Sequence, residues 1–251
     1  MTLKFSIITV CFNSQATIAD TLRSVASQSW HNYEHIVIDG ASRDGTVALI
    51  NDMADERTIL VSEQDRGIYD AMNKGIARAS GDIICFLNAD DFYADESVLA
   101  EVAGLMTHEN LDAVLSDVVF FQPDRPEKVL RRYDSGQFSP ARIGYGWMPA
   151  HPGFFARRGL YEKVGPFRTD YRIAADFEWI ARAFHKGDLR YRHLAKPVVR
   201  MRTGGVSTSG LKSTITLNRE ILRACRENGI PSNAFMLMTK FARKFMERFA
   251  R

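Results

Sequence analysis

The chain has few cysteines and no long hydrophobic run. Its 251 residues include three cysteines, Cys11, Cys85 and Cys225, which do not have the spacing of metal ligands. We expect reduced thiols in a cytosolic protein. The apolar run at residues 5–12 stops at Asn13, which makes it too short for a signal peptide or a membrane-spanning helix. These absences predict a cytoplasmic location.

Three ligand-binding signatures are also absent. No Gly-x-Gly-x-x-Gly follows the first predicted strand, which argues against a dinucleotide-dependent oxidoreductase. Neither the Gly-x-x-x-x-Gly-Lys-Ser/Thr loop of nucleotide hydrolases nor the Gly-x-Ser-x-Gly elbow of hydrolases occurs. The formal charge is only +3, from 33 basic and 30 acidic residues, and gives no support for nucleic-acid binding.

The first 90 residues instead alternate strand and helix patterns. Strands are predicted over residues 5–12, 33–39, 58–62 and 83–87, because these are short apolar runs bounded by turn residues. Helical patterns lie between them, and Asn13 and Ser14 are predicted to cap the first helix. This alternation predicts a parallel, doubly wound sheet.

Each of these strands ends in polar residues. The residues at or just after the strand ends include Asn13, Asp39, Asp65, Asp90 and Asp91. Parallel strands place their carboxyl ends at one edge of the sheet, where ligands bind in open α/β folds. The adjacent carboxylates of Asp90 and Asp91 repel each other unless a cation joins them to an anionic ligand, a role suited to Mg²⁺ or Mn²⁺. The plain alternative is a turn after a strand.

The order and spacing of these motifs resemble glycosyltransferase family 2. The motifs are SIITVCFNS (6–14), IDGASRDGT (38–46), DRGIYDAMNKG (65–75), GD (81–82) and FLNADD (86–91). HPGFF (151–155), ADFE (175–178) and GGVS (204–207) resemble the non-processive, polysaccharide-assembly branch of the family more weakly. The resemblance implies inverting transfer of a hexosyl group from a nucleotide sugar, with a uridine diphosphate sugar as the favoured donor.

The implied fold class is α/β of the GT-A type, with a Rossmann-like, mostly parallel sheet flanked by helices and a C-terminal helical extension. The catalytic domain is expected over residues 1–208. Residues 1–95 would form its nucleotide-sugar-binding half and residues 96–208 its acceptor half. The extension would be residues 209–251.

The resemblance also assigns donor-side residues. Asp39 would face the nucleotide base, and the segment from Asp65 to Lys74 would line the nucleotide pocket. Asp91 would bind the metal, with Asp90 beside it near the ribose or the metal. Asn88 stands where the family often has a first Asp, which suggests a weakly held ion.

The residues predicted to bind the donor are Asn13, Asp39, Asp65, Lys74, Asp90 and Arg202. Arg200 or Arg202 would supply charge from a loop over residues 200–209 that closes on the diphosphate.

Inverting transfer also requires a base. An acceptor hydroxyl attacks the anomeric carbon opposite the leaving diphosphate, so the base must lie away from Asp90 and Asp91. The resemblance places Asp176 in this role, at the start of a predicted helix, with Glu178 as the second candidate. An Asp at a helix N-terminus is also common as a simple cap. His151, Trp147 and Glu178 are predicted to line the acceptor side, with the donor diphosphate as the alternative for His151. Both His151 and Trp147 could equally be packing residues, and Tyr145 could also stack on a sugar ring.

Two other functions share parts of this pattern. A nucleotidyltransferase that makes nucleotide sugars would have a basic, glycine-rich loop after the first strand, and residues 13–16 contain neither glycine nor a basic residue. A catalytically inactive nucleotide-sugar-binding protein is the other alternative, and the presence of Asp39, Asp91 and Asp176 argues against it.

The C-terminal residues 234–251 are predicted to form an amphipathic helix. Its apolar face would contain Phe235, Met238, Phe241, Ala242, Phe245, Met246 and Phe249. Five basic residues and one acidic residue, a net +4, lie off this face: Lys240, Arg243, Lys244, Glu247, Arg248 and Arg251. This pattern is typical of a helix in a membrane interface, and packing on the protein or on a second copy is the alternative. It fits a glycan or lipid-linked glycan acceptor, with the protein at the inner face of the membrane.

Overall fold

The computed structural model describes residues 2–185, 189–204 and 211–239, and its first half alternates strand and helix. The elements are β1 (Phe5–Cys11), α1 (Ile18–Ala26), β2 (Tyr33–Asp39), α2 (Thr46–Met53), β3 (Thr58–Ser62), α3 (Ile68–Arg78) and β4 (Ile83–Phe86). The four strands pair in parallel in the order β3-β2-β1-β4. The predicted alternation is therefore confirmed.

The second half extends the same sheet. Its strands and helices are β5 (Phe92–Tyr93), α4 (Val98–His108), β6 (Ala113–Gln122), β7 (Arg125–Tyr133), β8 (Phe154–Arg157), α5 (Arg158–Val164), α6 (Ala175–His185), β9 (Tyr191–Arg202) and α7 (Leu211–Glu227). Three short 3₁₀ helices cover Ser135–Gln137, Pro140–Tyr145 and His151–Gly153. The described strands continue from β4 in the order β8-β6-β9-β5, and β7 pairs with β6. Strand β8 is antiparallel to β4 and β6, whereas β9 is parallel to β6.

Helices cover both faces of the sheet, because successive side chains of a strand point to opposite sides. Ile8 and Ile84 pack in the cluster that contains residues of α3, α6 and α7. Ile7 and Cys85, their neighbours in sequence, pack with residues of α4 on the other face. Strands β1, β2 and β4 are consequently buried along their whole length.

Helix α1 begins later than predicted. Its first residue is Ile18, and Asn13 does not cap it. Asn13 has a φ of 50° and its Oδ1 accepts a hydrogen bond from the backbone N–H of Arg43 at 2.9 Å, in the loop after β2. The predicted cap is wrong because Asn13 joins two loops at the edge of the sheet.

The C-terminal region joins the main core through α7. The predicted boundary at residue 208 falls within residues 205–210, which lie outside the described residues. After it, Ile221, Ala224 and Cys225 of α7 are buried in the cluster that contains α6. Of the predicted amphipathic helix, residues 234–239 are helical, and residues 240–251 lie outside the described part. Within the described ranges, no helix is both long enough and apolar enough to span a bilayer.

Candidate active site

Asp39 is the last residue of β2 and lies at the carboxyl edge of the parallel strands. Its register partners are Cys11 of β1 and Ser62 of β3. The carboxylate is buried and accepts hydrogen bonds from the Ser42 backbone N–H at 2.9 Å and the Ser62 hydroxyl at 2.7 Å. The Ser42 hydroxyl also donates to it. Burial and the neighbouring Asp39 charge raise the pKa of Cys11, so this thiol stays protonated. Asp39 therefore organises the loop after β2.

Asp65 lies against the same loop. A Cβ atom added at Gly40 would come within 2.6 Å of Asp65 Oδ2, so only glycine allows this approach without displacement. Asp65 Oδ1 accepts a hydrogen bond from the Gly67 N–H at 2.8 Å. Beside Gly40 lies Phe12, whose surface is 62% exposed. Phe12 is not among the site residues predicted from the sequence, although it directly precedes Asn13 at the end of the first predicted strand.

Lys74 stabilises the loop that contains Asp65 by bonding to the two residues before it. Its Nζ donates to the Gln64 carbonyl oxygen at 2.8 Å and forms an ion pair with Glu63 at 3.0 Å. Asp70, one helical turn before Lys74, accepts a hydrogen bond from the Arg66 N–H at 3.1 Å. The predicted nucleotide-lining segment is thus held together by its own charged side chains.

The two carboxylates after β4 are adjacent in sequence and partly or fully buried. Asp91 is 1% exposed and accepts hydrogen bonds from the Arg202 N–H at 3.2 Å and the Asn88 side-chain amide at 3.3 Å. Burial and then the adjacent Asp90 raise the pKa of Asp91 well above its usual range. Burial also raises the pKa of Asp90. In the described ranges, neither carboxylate forms an ion pair with a lysine or arginine.

Arg202 bonds Asp91 through its backbone N–H, and its positive charge acts to lower the pKa of both Asp90 and Asp91. The guanidinium pairs with Asp20 of α1 and lies over the Phe121 ring, 5.3 Å from its centroid. Arg202 and Asp20 line a cavity of about 550 Å³ together with Phe92. The predicted loop over residues 200–209 is described only as far as residue 204.

Asp176 is the second residue of α6 and is held against α3. Its Oδ1 accepts a hydrogen bond from the Phe177 N–H at 2.8 Å and lies 3.5 Å from the Tyr69 hydroxyl. Tyr69 donates to the carbonyl oxygen of Ile173. Among described residues, Oδ2 of Asp176 has no hydrogen-bond partner. Burial raises the pKa of Asp176 to about 6. This carboxyl group is therefore poised to accept a proton near neutral pH.

Helix α3 connects the nucleotide-side loop to the segment before α6. Asn73 exchanges two hydrogen bonds of 2.8 Å with the backbone of Phe167, and Tyr69 adds the bond to Ile173. The motif at residues 65–75 thus contacts the segment before Asp176 as well as containing the loop of Asp65.

Glu178 points away from Asp176, into the protein. It is buried and its Oε1 accepts a hydrogen bond from Arg182 Nε at 2.8 Å within α6. Arg182 also donates to the carbonyl oxygen of Pro166 at 2.7 Å. The structure therefore does not bring Glu178 together with Asp176, and Arg182 links α6 to the end of α5 by donating to the carbonyl oxygen of Val164 at 2.5 Å.

His151 lies in an aromatic cluster. Its ring stacks on Phe86 with centroids 5.1 Å apart and meets the edge of Phe167 at 5.8 Å. Burial lowers the pKa of His151 to about 4, so the ring is neutral at pH 7. Trp147 is half-buried after the second 3₁₀ helix, and its neighbour Tyr145 is exposed.

A second group of possible metal ligands lies elsewhere, between β6, β7 and β9. Single ligand atoms of Asp117, Asp134 and His193 lie within 4.8 Å of one another and could hold a metal ion. Asp117 is already bonded there to Arg132, whose Nε donates at 2.7 Å, and its other oxygen lies 2.7 Å from His193 Nε2. A cation in this cluster would compete with the Arg132 charge. The sequence reasoning did not find this group, because its members are far apart along the chain.

Comparison with known proteins matches the sequence to one family. Residues 6–167 match the family model described as glycosyl transferase family 2. A PGL/p-HBAD biosynthesis glycosyltransferase of Mycobacterium bovis (strain BCG / Pasteur 1173P2) is 33% identical over 223 residues, which is 87% of this chain and 82% of the relative. The glycosyltransferase AglE of Haloferax volcanii is 29% identical over 201 residues, 76% of this chain and 66% of the relative.

Solved structures confirm the predicted GT-A fold class. The Staphylococcus aureus TarS 1-349 complex with UDP-GlcNAc has a TM-score of 0.72 at 19% identity, over 88% of this chain and 66% of that chain. The mannosyltransferase PcManGT of Pyrobaculum calidifontis, in complex with GDP-Man and Mn²⁺, has a TM-score of 0.64 at 22% identity, over 89% of this chain and 65% of that chain. This chain thus spans about two thirds of the solved chains.

Proposed function

The chain belongs to glycosyltransferase family 2, and from this premise we propose that it transfers a hexosyl group from a nucleoside diphosphate sugar to a hydroxyl of a glycan acceptor, inverting the anomeric carbon. One observation carries the proposal. Asp176, with its pKa raised to about 6, lies on α6, whereas Asp90 and Asp91, whose pKa values burial also raises, follow β4. The site therefore offers a base and a cation-binding pair on different elements.

The donor would bind at the carboxyl edge of β1, β2 and β3. The exposed ring of Phe12 can stack on the nucleotide base, and the loops that hold Asp39 and Asp65 lie beside it. Complexes of the structural neighbours with UDP-GlcNAc and GDP-Man support a nucleoside diphosphate sugar, and we favour a uridine diphosphate sugar.

Asp91 and Asp90 would hold a divalent cation. Their carboxylates and the Asn88 side chain offer oxygen ligands, which Mg²⁺ and Mn²⁺ prefer, and the raised pKa values indicate a site that favours added positive charge. When bound, such an ion offsets the charge of the departing diphosphate. The Mn²⁺ in the complex of one structural neighbour supports this assignment.

Asp176 would act as the general base. Its Oδ2 would accept the proton of the acceptor hydroxyl while that oxygen forms a bond to the anomeric carbon. The bond from the anomeric carbon to the diphosphate oxygen would break on the opposite face. The Phe177 N–H donates to Oδ1 and thereby orients the carboxyl group, and the Tyr69 hydroxyl oxygen lies 3.5 Å from the same atom.

The proposed reaction is tested with purified protein and a panel of UDP- and GDP-sugars, with Mg²⁺ or Mn²⁺ present. We expect slow release of nucleoside diphosphate with one donor, and a faster rate when the acceptor is added. Absence of any donor turnover would favour an inactive nucleotide-sugar-binding protein.

The product should carry the inverted linkage, which is β when the donor sugar is α-linked. Direct displacement by the acceptor oxygen requires this outcome. Proton NMR of the anomeric signal of the product measures it, and a retained configuration would contradict the displacement mechanism.

We further propose that residues 234–251 contact an anionic membrane that carries a lipid-linked acceptor. In the described turn of this segment, Leu237 is buried, whereas Phe235 is 77% and Met238 65% exposed. Two members of the predicted apolar face therefore remain available, and the basic residues that follow them suit anionic lipid headgroups. Each basic residue near such a surface contributes about 1 kcal/mol.

Replacing Phe235 and Met238 together by serine should weaken sedimentation of the full chain with anionic vesicles at low salt. Both side chains are exposed, so the change leaves the packing of Leu237 in place. Ile215→Ser on α7 is the matched control, because Ile215 is also exposed, at 53%, outside this segment. Equal vesicle binding by the double variant and the control would rule out this face as the contact.

A further inference from the structure

Glu220 of α7 binds the turn that carries Asp176. Its Oε1 accepts a hydrogen bond from the Arg172 N–H at 2.7 Å, and its Oε2 accepts bonds of 2.9 Å from the N–H groups of Ile173 and Ala174. These residues directly precede α6, and Asp176 follows Ala174 by two positions. One carboxylate thus orders three consecutive peptide groups beside the proposed base.

The Ile173 residue is held from two sides. Glu220 accepts its N–H, and the Tyr69 hydroxyl of α3 donates to its carbonyl oxygen. Helix α3 belongs to the nucleotide-side motif, whereas α7 lies more than 130 residues later in the chain. The turn of residues 172–174 is therefore hydrogen-bonded to both α3 and α7, two helices that are far apart in the sequence.

The position of Glu220 also matters electrostatically. The N–H groups at the start of a helix have no partners within the helix, and the helix dipole places partial positive charge there. Glu220 satisfies the N–H groups just before α6, so they do not compete for the Asp176 carboxylate. Its negative charge also acts to raise the pKa of Asp176.

We propose that Glu220 is a positioning residue that holds the general base of the transferase in its productive orientation. This inference rests on the proposed role of Asp176. Glu220 does not itself touch the reacting groups in this assignment, and it acts through the turn of residues 172–174.

Glu227, also on α7, bonds to side chains of the neighbouring residues. Glu227 accepts hydrogen bonds from Arg168 at 2.6 Å, Arg223 at 2.8 Å and the Tyr171 hydroxyl at 2.8 Å, all of them side chains. The ion pairs among these groups lie at the surface, where such pairs contribute little. Glu227→Gln is therefore a matched control for Glu220→Gln, with the same change on the same helix and no bond to the backbone before α6.

The test compares kcat and donor KM for Glu220→Ala, Glu220→Gln and Glu227→Gln, each alone and combined with Asp176→Asn. We expect Glu220→Ala to lower kcat by about 10–100-fold, the scale expected for a small displacement of a catalytic group, with the donor KM nearly unchanged. Glu220→Gln should lower kcat less, because the glutamine amide oxygen still accepts a hydrogen bond. Removal of the Glu220 charge should also shift the fall of kcat at acidic pH to lower pH values. Glu227→Gln should match the wild type.

The combined variants separate positioning from general structural damage. If Glu220 acts through Asp176, Glu220→Ala should cause no further loss of kcat in the Asp176→Asn background. An equal loss in both backgrounds, or an unchanged kcat for Glu220→Ala and Glu220→Gln, would overturn the proposal. Should Glu220→Ala fail to fold, as judged by circular dichroism, the same comparison is made with Glu220→Gln. Full activity of Asp176→Asn alone would instead refute the proposed base, and with it this inference.

Discussion

Replacing Asp176 by asparagine should lower kcat by about 10²–10⁴, the usual range for loss of a general base. The donor KM should change little, because Asp176 contacts Tyr69 and Phe177 and has no bond to the loops after β1, β2 and β3. Asparagine preserves the size of the side chain and its acceptor oxygen, so the fold should be retained. Steady-state rates with saturating acceptor measure the effect.

The pH dependence of the wild type gives a second measure of the same role. A base must be ionised, and burial raises the pKa of Asp176 to about 6, so kcat should fall as pH decreases through about 6 and level off above it. The residual kcat of Asp176→Asn should not show this fall at acidic pH. An unchanged rate in the variant, or a loss of donor affinity with kcat preserved, would transfer the role of base to another residue.

Replacing Asp91 by alanine should abolish metal-dependent turnover. Asp91 is the buried member of a carboxylate pair that has no ion-pair partner in the described part of the chain, and its loss leaves only Asp90 and Asn88 as side-chain ligands. Nucleotide binding with and without Mn²⁺, measured by titration calorimetry, should show that the metal no longer improves affinity.

The Asp117–Asp134–His193 group supplies the control for this prediction. Asp134→Asn preserves the acceptor for the Gly136 N–H while removing one candidate ligand charge. Metal-dependent turnover should survive this change if the ion binds at Asp91. Full turnover of Asp91→Ala in the presence of a chelator, or loss of metal dependence in Asp134→Asn, would show that the metal assignment is wrong.

The arrangement of β1 to β4 and their carboxyl edge could be predicted because its signals are local. Each strand from β1 to β4 is a short apolar run, and the polar residue that ends it, such as Asp39, is adjacent in sequence. The parallel sheet then brings these ends together without further information. The cap at Asn13 was predicted wrongly for a related reason: its partner, the Arg43 N–H, lies across the sheet edge and has no signal in the neighbouring sequence.

The surroundings of Asp176 could not be predicted from its own segment. Its contacts come from Tyr69, more than 100 residues earlier, and its turn is held by Glu220, more than 40 residues later. Asp176 and Glu178 both lie in the first turn of α6. Glu178 is buried and pairs with Arg182, four residues later in the same helix, whereas Asp176 approaches Tyr69 of α3.

The strand order has a consequence for the way the protein is made. Strands β1 to β4 are complete once residue 86 has been synthesised, whereas β9, which lies between β6 and β5, ends at Arg202. Chains emerge from the ribosome N-terminus first, and early segments can fold before later ones exist. The loops after β1, β2 and β3 are therefore synthesised well before α7, whose Glu220 binds the turn at residues 172–174. In a nascent chain, the segments proposed to bind the donor exist before the contacts that hold the proposed base.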